Sequence, residues 1–130
     1  MSERVKLEME FLINSSPAIL FNFISTASGL SQWFADKVSV RGSELMIFSW
    51  GNEEVREAKI VKKAFNKFIR FAWSDADSKD EYWEMEICKG ELTEDIMLYV
   101  TEFVDPDEEE EISNLWSSQI DDLKETLGVN

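Results

Sequence analysis

Apolar residues recur in steps of three and four near the end of the chain, at Ile112, Leu115, Trp116, Ile120, Leu123 and Leu127. That spacing places one apolar stripe on an α-helix, predicted here from Asp105 to Gly128. Asp105 reads as an N-cap, Pro106 occupies the first helical position, and Glu108 stands where a capping-box partner belongs. Glu108 to Glu111 put negative charge at the positive end of the helix dipole, and Gly128 supplies the stop. About twenty helical residues span roughly 30 Å, the width of a small domain. The upstream strands are therefore expected to pack on this stripe.

Upstream the period changes. Val5, Leu7, Met9 and Phe11 alternate with Lys6, Glu8 and Glu10, which is a half-buried strand. Ser16-Pro17 is a helix start, and Ile19, Leu20, Phe23 and Ile24 make a short amphipathic helix that Ser25 to Ser28 break. Gly29 to Phe34 reads as a second, shorter helix ending in the aromatic pair Trp33-Phe34. From Asp36 onward the period is two. Val38 and Val40 lead to a turn at Arg41-Gly42-Ser43, then a strand from Leu45 to Trp50. Both faces of that strand are apolar, so alternation does not decide whether Phe48 and Trp50 point inward. A turn at Gly51-Asn52 precedes a charged strand from Glu53 to Lys63, and Asn66-Lys67 turns the chain into Phe68 to Trp73. Asp75 to Asp80 is a polar loop. Tyr82 to Cys88 places Trp83, Met85 and Ile87 on one face and Glu84 and Glu86 on the other; after Lys89-Gly90-Glu91, Ile96 to Phe103 is the last strand. Strands joined by such short turns are expected to be antiparallel neighbours.

With 130 residues, 44% of them hydrophobic, the chain suits a single domain spanning residues 1–130 around one core. The net charge of -14 argues against a nucleic-acid partner and against anionic membrane surfaces. No apolar run approaches the ~20 residues of a membrane span. Met1 to Glu10 mixes charged and apolar residues too evenly for a signal peptide, and the lone cysteine, Cys88, suits a reducing compartment. A cytoplasmic location is expected on those grounds.

The chain has no histidine, which removes Ser-His and Cys-His nucleophile systems and the usual zinc sites. Asp75, Asp77, Asp80 and Glu81 outline a calcium loop, but Lys79 stands where a third acidic ligand belongs and no glycine follows for the sharp turn. No metal and no cofactor are expected. Cys88 falls on the charged face of its strand beside Lys89, a cation that can lower a thiol pKa, yet no base or resolving cysteine accompanies it. Arg56, Lys59, Lys62, Lys63, Lys67 and Arg70 cluster in one hairpin and are expected on its outer face.

The order of elements resembles the START-like (SRPBCC), helix-grip superfamily, and within it the group related to the activator of heat-shock protein ATPase. The marks are Ser16-Pro17, Gly29-Leu30-Ser31-Gln32-Trp33-Phe34, Phe68-Ile69-Arg70-Phe71-Ala72-Trp73, Thr101-Glu102-Phe103, and Trp116 with Ile120 and Leu123. The resemblance covers essentially the whole chain. It implies an α+β fold: a curved seven-stranded antiparallel sheet wrapped around a long C-terminal helix, with two short helices between strands 1 and 2 and a cavity between sheet and helix. Members of the superfamily use that cavity for lipids, polyketides or hormones, or bind proteins.

Trp33, Phe34, Phe48, Trp50, Phe71, Trp73, Trp83 and Trp116 are many large rings for a small domain. Either they fill the core or, in a helix-grip fold, they line a hollow. In the second case Met85 and Ile120 join the lining, Trp33 and Phe34 close one end, and Gln119 is its polar hook. The function this favours is non-enzymatic binding of a small hydrophobic or amphipathic ligand. The alternative is a protein-interaction or co-chaperone-like module with a protein partner. An aromatase- or cyclase-like enzyme would need an acid–base pair that the sequence does not offer.

Overall fold

A computed structural model describes residues 4–51, 54–76 and 80–129. Seven strands form one antiparallel sheet: β1 (Val5–Leu12), β2 (Lys37–Arg41), β3 (Leu45–Trp50), β4 (Glu54–Ala64), β5 (Phe68–Trp73), β6 (Trp83–Lys89) and β7 (Ile96–Val104). Their spatial order is β1-β7-β6-β5-β4-β3-β2. Six of these strands therefore form a meander, and β1 returns to pair with β7. Between β1 and β2 the helices α1 (Pro17–Ser25) and α2 (Ala27–Leu30) carry the chain from one sheet edge to the other. The long helix α3 (Glu109–Leu127) closes the chain. This is the helix-grip arrangement.

Local chemistry accounts for most element ends. Ser16 Oγ accepts from the Ile19 amide at 3.2 Å and Pro17 opens α1, satisfying an orphan donor with a residue that needs none. The buried face of α1 is Leu20, Phe21 and Ile24, whereas Ile19 is 53% exposed. The expected face is thus shifted toward Phe21. The second helix starts two residues earlier than expected and stops at Leu30, because Thr26 Oγ1 caps it by accepting from Gly29 N at 2.9 Å. Residues 31–34 continue as turns. Gly29 is required there: a Cβ would lie 2.4 Å from Asn22 O and 2.6 Å from Phe23 Cα.

At the other end the capping box does not form. Pro106–Glu108 makes a 3-10 turn, with Glu108 N donating to Asp105 O at 2.9 Å, while an Asp105 carboxylate oxygen lies 3.4 Å from Arg4 Nη1. The stop is as expected. Gly128 adopts φ 76, and the Gly128 and Val129 amides donate to Glu125 O and Lys124 O. Trp116, Ile120 and Leu123 are buried and Ile112 and Leu127 half-buried, but Leu115 is 53% exposed. One residue is roughly 100° of helix rotation, so Leu115 lies beyond the narrow arc that a single helix presses onto a concave sheet.

Pairing register sets which strand face meets α3. Met46 of β3 pairs with Ala58 and Phe48 with Arg56 on β4. Met46, Phe48 and Ala58 are all buried, so the undecided face of β3 turns out to be the Met46–Phe48–Trp50 face. Trp83 and Met85 on β6 and Ile96, Leu98, Val100 and Val104 on β7 are buried by the same rule. Among the described residues no polar or charged residue is fully buried.

Candidate functional site

Phe34 occupies the centre of the concave face. Its ring stacks on Trp83 with centroids 5.1 Å apart, meets Phe48 edge-on at 5.3 Å, and lies 5.7 Å from both Trp50 and Trp116. Phe34 is therefore a plug in the middle rather than a cap at one end. Phe71 stacks on the other side of the cluster, 4.2 Å from Trp83. Phe48, Phe71, Met85 and Ile120 are expected on a cavity wall, but they are at most 1% exposed and belong to the solid core. The reason is the plug. Once Phe34 fills the middle, no hollow is left there for Phe48, Phe71, Met85 and Ile120 to line.

Space remains at one end, between the tips of the strands and the first half of α3. There a cleft of about 340 Å³, open to solvent, is lined by Phe34, Trp50, Trp73, Trp83, Trp116 and Gln119. Ile112 and Leu115 from α3 join them, and so do three charged side chains, Glu54, Arg56 and Glu102. On one side the cleft adjoins a small pocket of about 140 Å³ that reaches Arg4 and Glu81. On the other it adjoins a shallow groove of about 760 Å³ bounded by Trp33 and Asp36. Trp33 thus lines the groove, not the cleft; its Nε1 donates to Phe23 O at 2.9 Å.

The polar atoms of the cleft are held by specific bonds. Phe34 O accepts from Trp50 Nε1 at 2.9 Å and from Gln119 Nε2 at 3.0 Å. Gln119 is accordingly a tether between α3 and the segment that carries the plug, besides being a cleft residue. The Arg56 guanidinium lies 3.9 Å from the Trp73 ring centroid, a cation–π stack, and its Nη2 donates to Asp75 Oδ1 at 2.9 Å. That pair holds the Asp75 carboxyl below its ordinary value. Glu102, on β7 opposite Trp83, has both oxygens 3.4 Å from Trp116 Nε1. Burial pushes its carboxyl up, against the opposing influence of the Trp116 donor and the Arg56 and Arg4 charges. The buried Trp83 Nε1 has no hydrogen-bond partner among the described residues.

The charged members of the cleft escape the periodicity reading, although a signal for them exists. Glu102 stands between Val100 and Val104 on the inward row of β7, and Arg56 precedes Ala58 on the inward row of β4. A charge on a row that otherwise points inward marks a place where the core opens. For Arg56 the expected outer-face position is wrong. For Arg70 it holds: its Nε donates to Glu84 Oε1 at 2.9 Å, and its guanidinium lies over Tyr82.

Elsewhere the suspected chemistry is engaged in other work. In the acidic loop, Asp75 is paired with Arg56 and Glu81 with Arg4, while Asp77 and Lys79 lie outside the described residues. The Cys88 thiol is pushed up by burial and by Glu86, and Lys89, instead of lowering it, pairs with Glu94 at 2.8 Å. Among the described residues no helix is long and apolar enough to cross a membrane.

Known structures with this architecture are numerous. The solution structure of BfR322 from Bacteroides fragilis is 39% identical, with 98% of this chain and 93% of that one covered and a TM-score of 0.67. The Aha1 dimer from Colwellia psychrerythraea is 17% identical, over 95% of this chain and 96% of that one, with a TM-score of 0.78. SSP2350 from Staphylococcus saprophyticus is 12% identical, over 97% and 95%, with a TM-score of 0.75. Among curated proteins none matches the sequence. The model of the START-like superfamily domain matches residues 1–129, and with the helix-grip topology described above it places this chain in the START-like superfamily.

Proposed function

We propose that the chain is a non-enzymatic binding module whose cleft takes a small hydrophobic or amphipathic ligand. The observation that carries this reading is the cleft itself. Four indoles and a phenyl ring converge on about 340 Å³ of open space, within the roughly 300–1,000 Å³ usual for small-molecule sites. Flat, broad rings accept planar or chain-like apolar bodies with little directional demand. Phe34, which stands where sheet and helix would otherwise enclose more space, limits the cleft to a short occupant. The reading includes a cytoplasmic site of action, which the lone free thiol supports. The protein-interaction alternative draws less support. Among the described residues the exposed aromatic side chains, Phe65 in the β4–β5 turn and Tyr99 on β7, lie apart in the chain and offer no ring patch.

The test is a titration of native protein with a short apolar ligand such as decanol, followed by tryptophan fluorescence and calorimetry. Binding should quench or shift the indole emission, and Ile112→Trp, which adds a ring to the cleft wall, should abolish it without loss of helical signal. Native protein that binds no apolar probe would remove the ligand reading and leave the interaction module as the better one.

A further inference from the structure

The cleft has a sign as well as a shape. Three charged side chains line it, and the one cation among them is already engaged: Arg56 is stacked on Trp73 at 3.9 Å and paired with Asp75 at 2.9 Å. Arg4, the other cation near Glu102, is occupied by Phe103 O at 3.0 Å and by Glu81 and Asp105, both at 3.4 Å. Among the described residues Glu102 is left with one indole N–H as a hydrogen-bond donor, 3.4 Å from each of its oxygens. Charge-assisted bonds are usually about 2.7–2.9 Å long, so this carboxylate is poorly compensated where it stands. Glu54 adds a second negative charge on the cleft wall.

We propose that the cleft selects amphipathic organic cations, an ammonium head seated against Glu102 with its apolar body on the indole walls. This rests on the ligand reading above and names the chemistry of the ligand. The cation supplies the close charged partner that Glu102 lacks among the described residues. An anionic head of the same size would meet Glu102 and Glu54, with Arg56 held by Trp73 and Asp75. A neutral hydroxyl head would fall between the two. Burial pushes the Glu102 carboxyl up, and a bound ammonium would act against that push as the Trp116 donor and the Arg56 and Arg4 charges already do.

Decylammonium, decanol and decanoate share one chain and differ only in the head. Their affinities for the native protein, at roughly physiological salt, should rank in that order, with decylammonium about tenfold or more tighter than decanoate. The overall charge of -14 favours any cation, so the deciding measurement uses a single carboxylate. Glu102→Gln should lower the decylammonium-to-decanoate preference at least about fivefold while decanol affinity, which also reports an intact cleft, stays within about twofold. Glu54→Gln, the same charge change elsewhere on the wall, should have a clearly smaller effect. Decanoate binding as tightly as decylammonium, or an equal effect of the two substitutions, would overturn the cation seat and leave the ligand reading standing. Failure of all three probes to bind would instead remove the ligand reading itself.

Discussion

Truncating Trp116 is the sharpest probe of how α3 is held. The side chain is 3% exposed, its ring lies 5.7 Å from Phe34 and 6.5 Å from Trp83, and its Nε1 is the donor to Glu102. A buried indole removes roughly 150–250 Å² from water, which at about 25 cal/mol per Å² gives an upper figure of ~4–6 kcal/mol. Measured Trp→Ala losses run at about 3–5 kcal/mol. Trp116 borders an open cleft, so water can enter the vacated space and the expected cost of Trp116→Ala is near the low end, about 3 kcal/mol. The two 3.4 Å contacts to Glu102 are long and add less than ~1 kcal/mol. Trp116→Phe, which keeps a ring and deletes the donor, should cost only about 1 kcal/mol. Urea melts followed by far-ultraviolet circular dichroism measure both, since fluorescence changes with the tryptophan count. In a domain of this size a loss of about 3 kcal/mol also lowers Tm by roughly 9–15 °C. A loss below about 1 kcal/mol for Trp116→Ala would mean that the helix is not seated through this residue. Equal losses for the two variants would mean that the N–H, not the packing, holds it.

Glu102→Gln should leave stability at pH 7 unchanged or raised. Burial raises the folded-state pKa, so the unfolded chain releases the proton first and stability falls as pH climbs from the ordinary glutamate value through the folded one; below that window the variant should lose any advantage, and urea midpoints from pH 4 to 8 measure this. Gly29→Ala should destabilise by about 1–3 kcal/mol, because the new methyl meets the Asn22 carbonyl and Phe23 Cα, which are backbone and cannot swing aside; a loss under a few tenths would show that α1 and α2 are less tightly joined than they look. Cys88→Ser should fold normally, and the native thiol should react with an aromatic disulfide at pH 7 more slowly than a free cysteine, since burial and Glu86 keep it protonated. A chelator should leave Tm unchanged; a marked drop would mean that the Asp75–Glu81 loop holds a metal.

Much of the architecture is legible in the residues because it follows from local periodicity. Period-two alternation marks β1 and β6, the three-and-four spacing marks α3, Ser16-Pro17 marks the start of α1, and Gly128 ends the chain's long helix in the left-handed region. Each depends on residues a few positions apart. Of the failures at helix ends, one is a local competition, Thr26 taking the cap of α2, whereas the other is tertiary: Arg4, 101 positions from Asp105, reaches its carboxylate once β1 pairs with β7. The candidate site is a different case. That Phe48 and Trp50 point inward depends on the register of β3 against β4, which an alternation apolar on both faces leaves open. That Phe34 fills the centre depends on where the turn after α2 lands on a sheet whose strands are distant in sequence. Glu102 and Arg56 face one cleft because β7 and β4 are brought under one helix by the curvature of the whole sheet. Periodicity states which side of an element is apolar; how far opposing sides stand apart, and hence whether rings fill a core or flank an opening with a carboxylate in it, is decided only when the elements pack against one another.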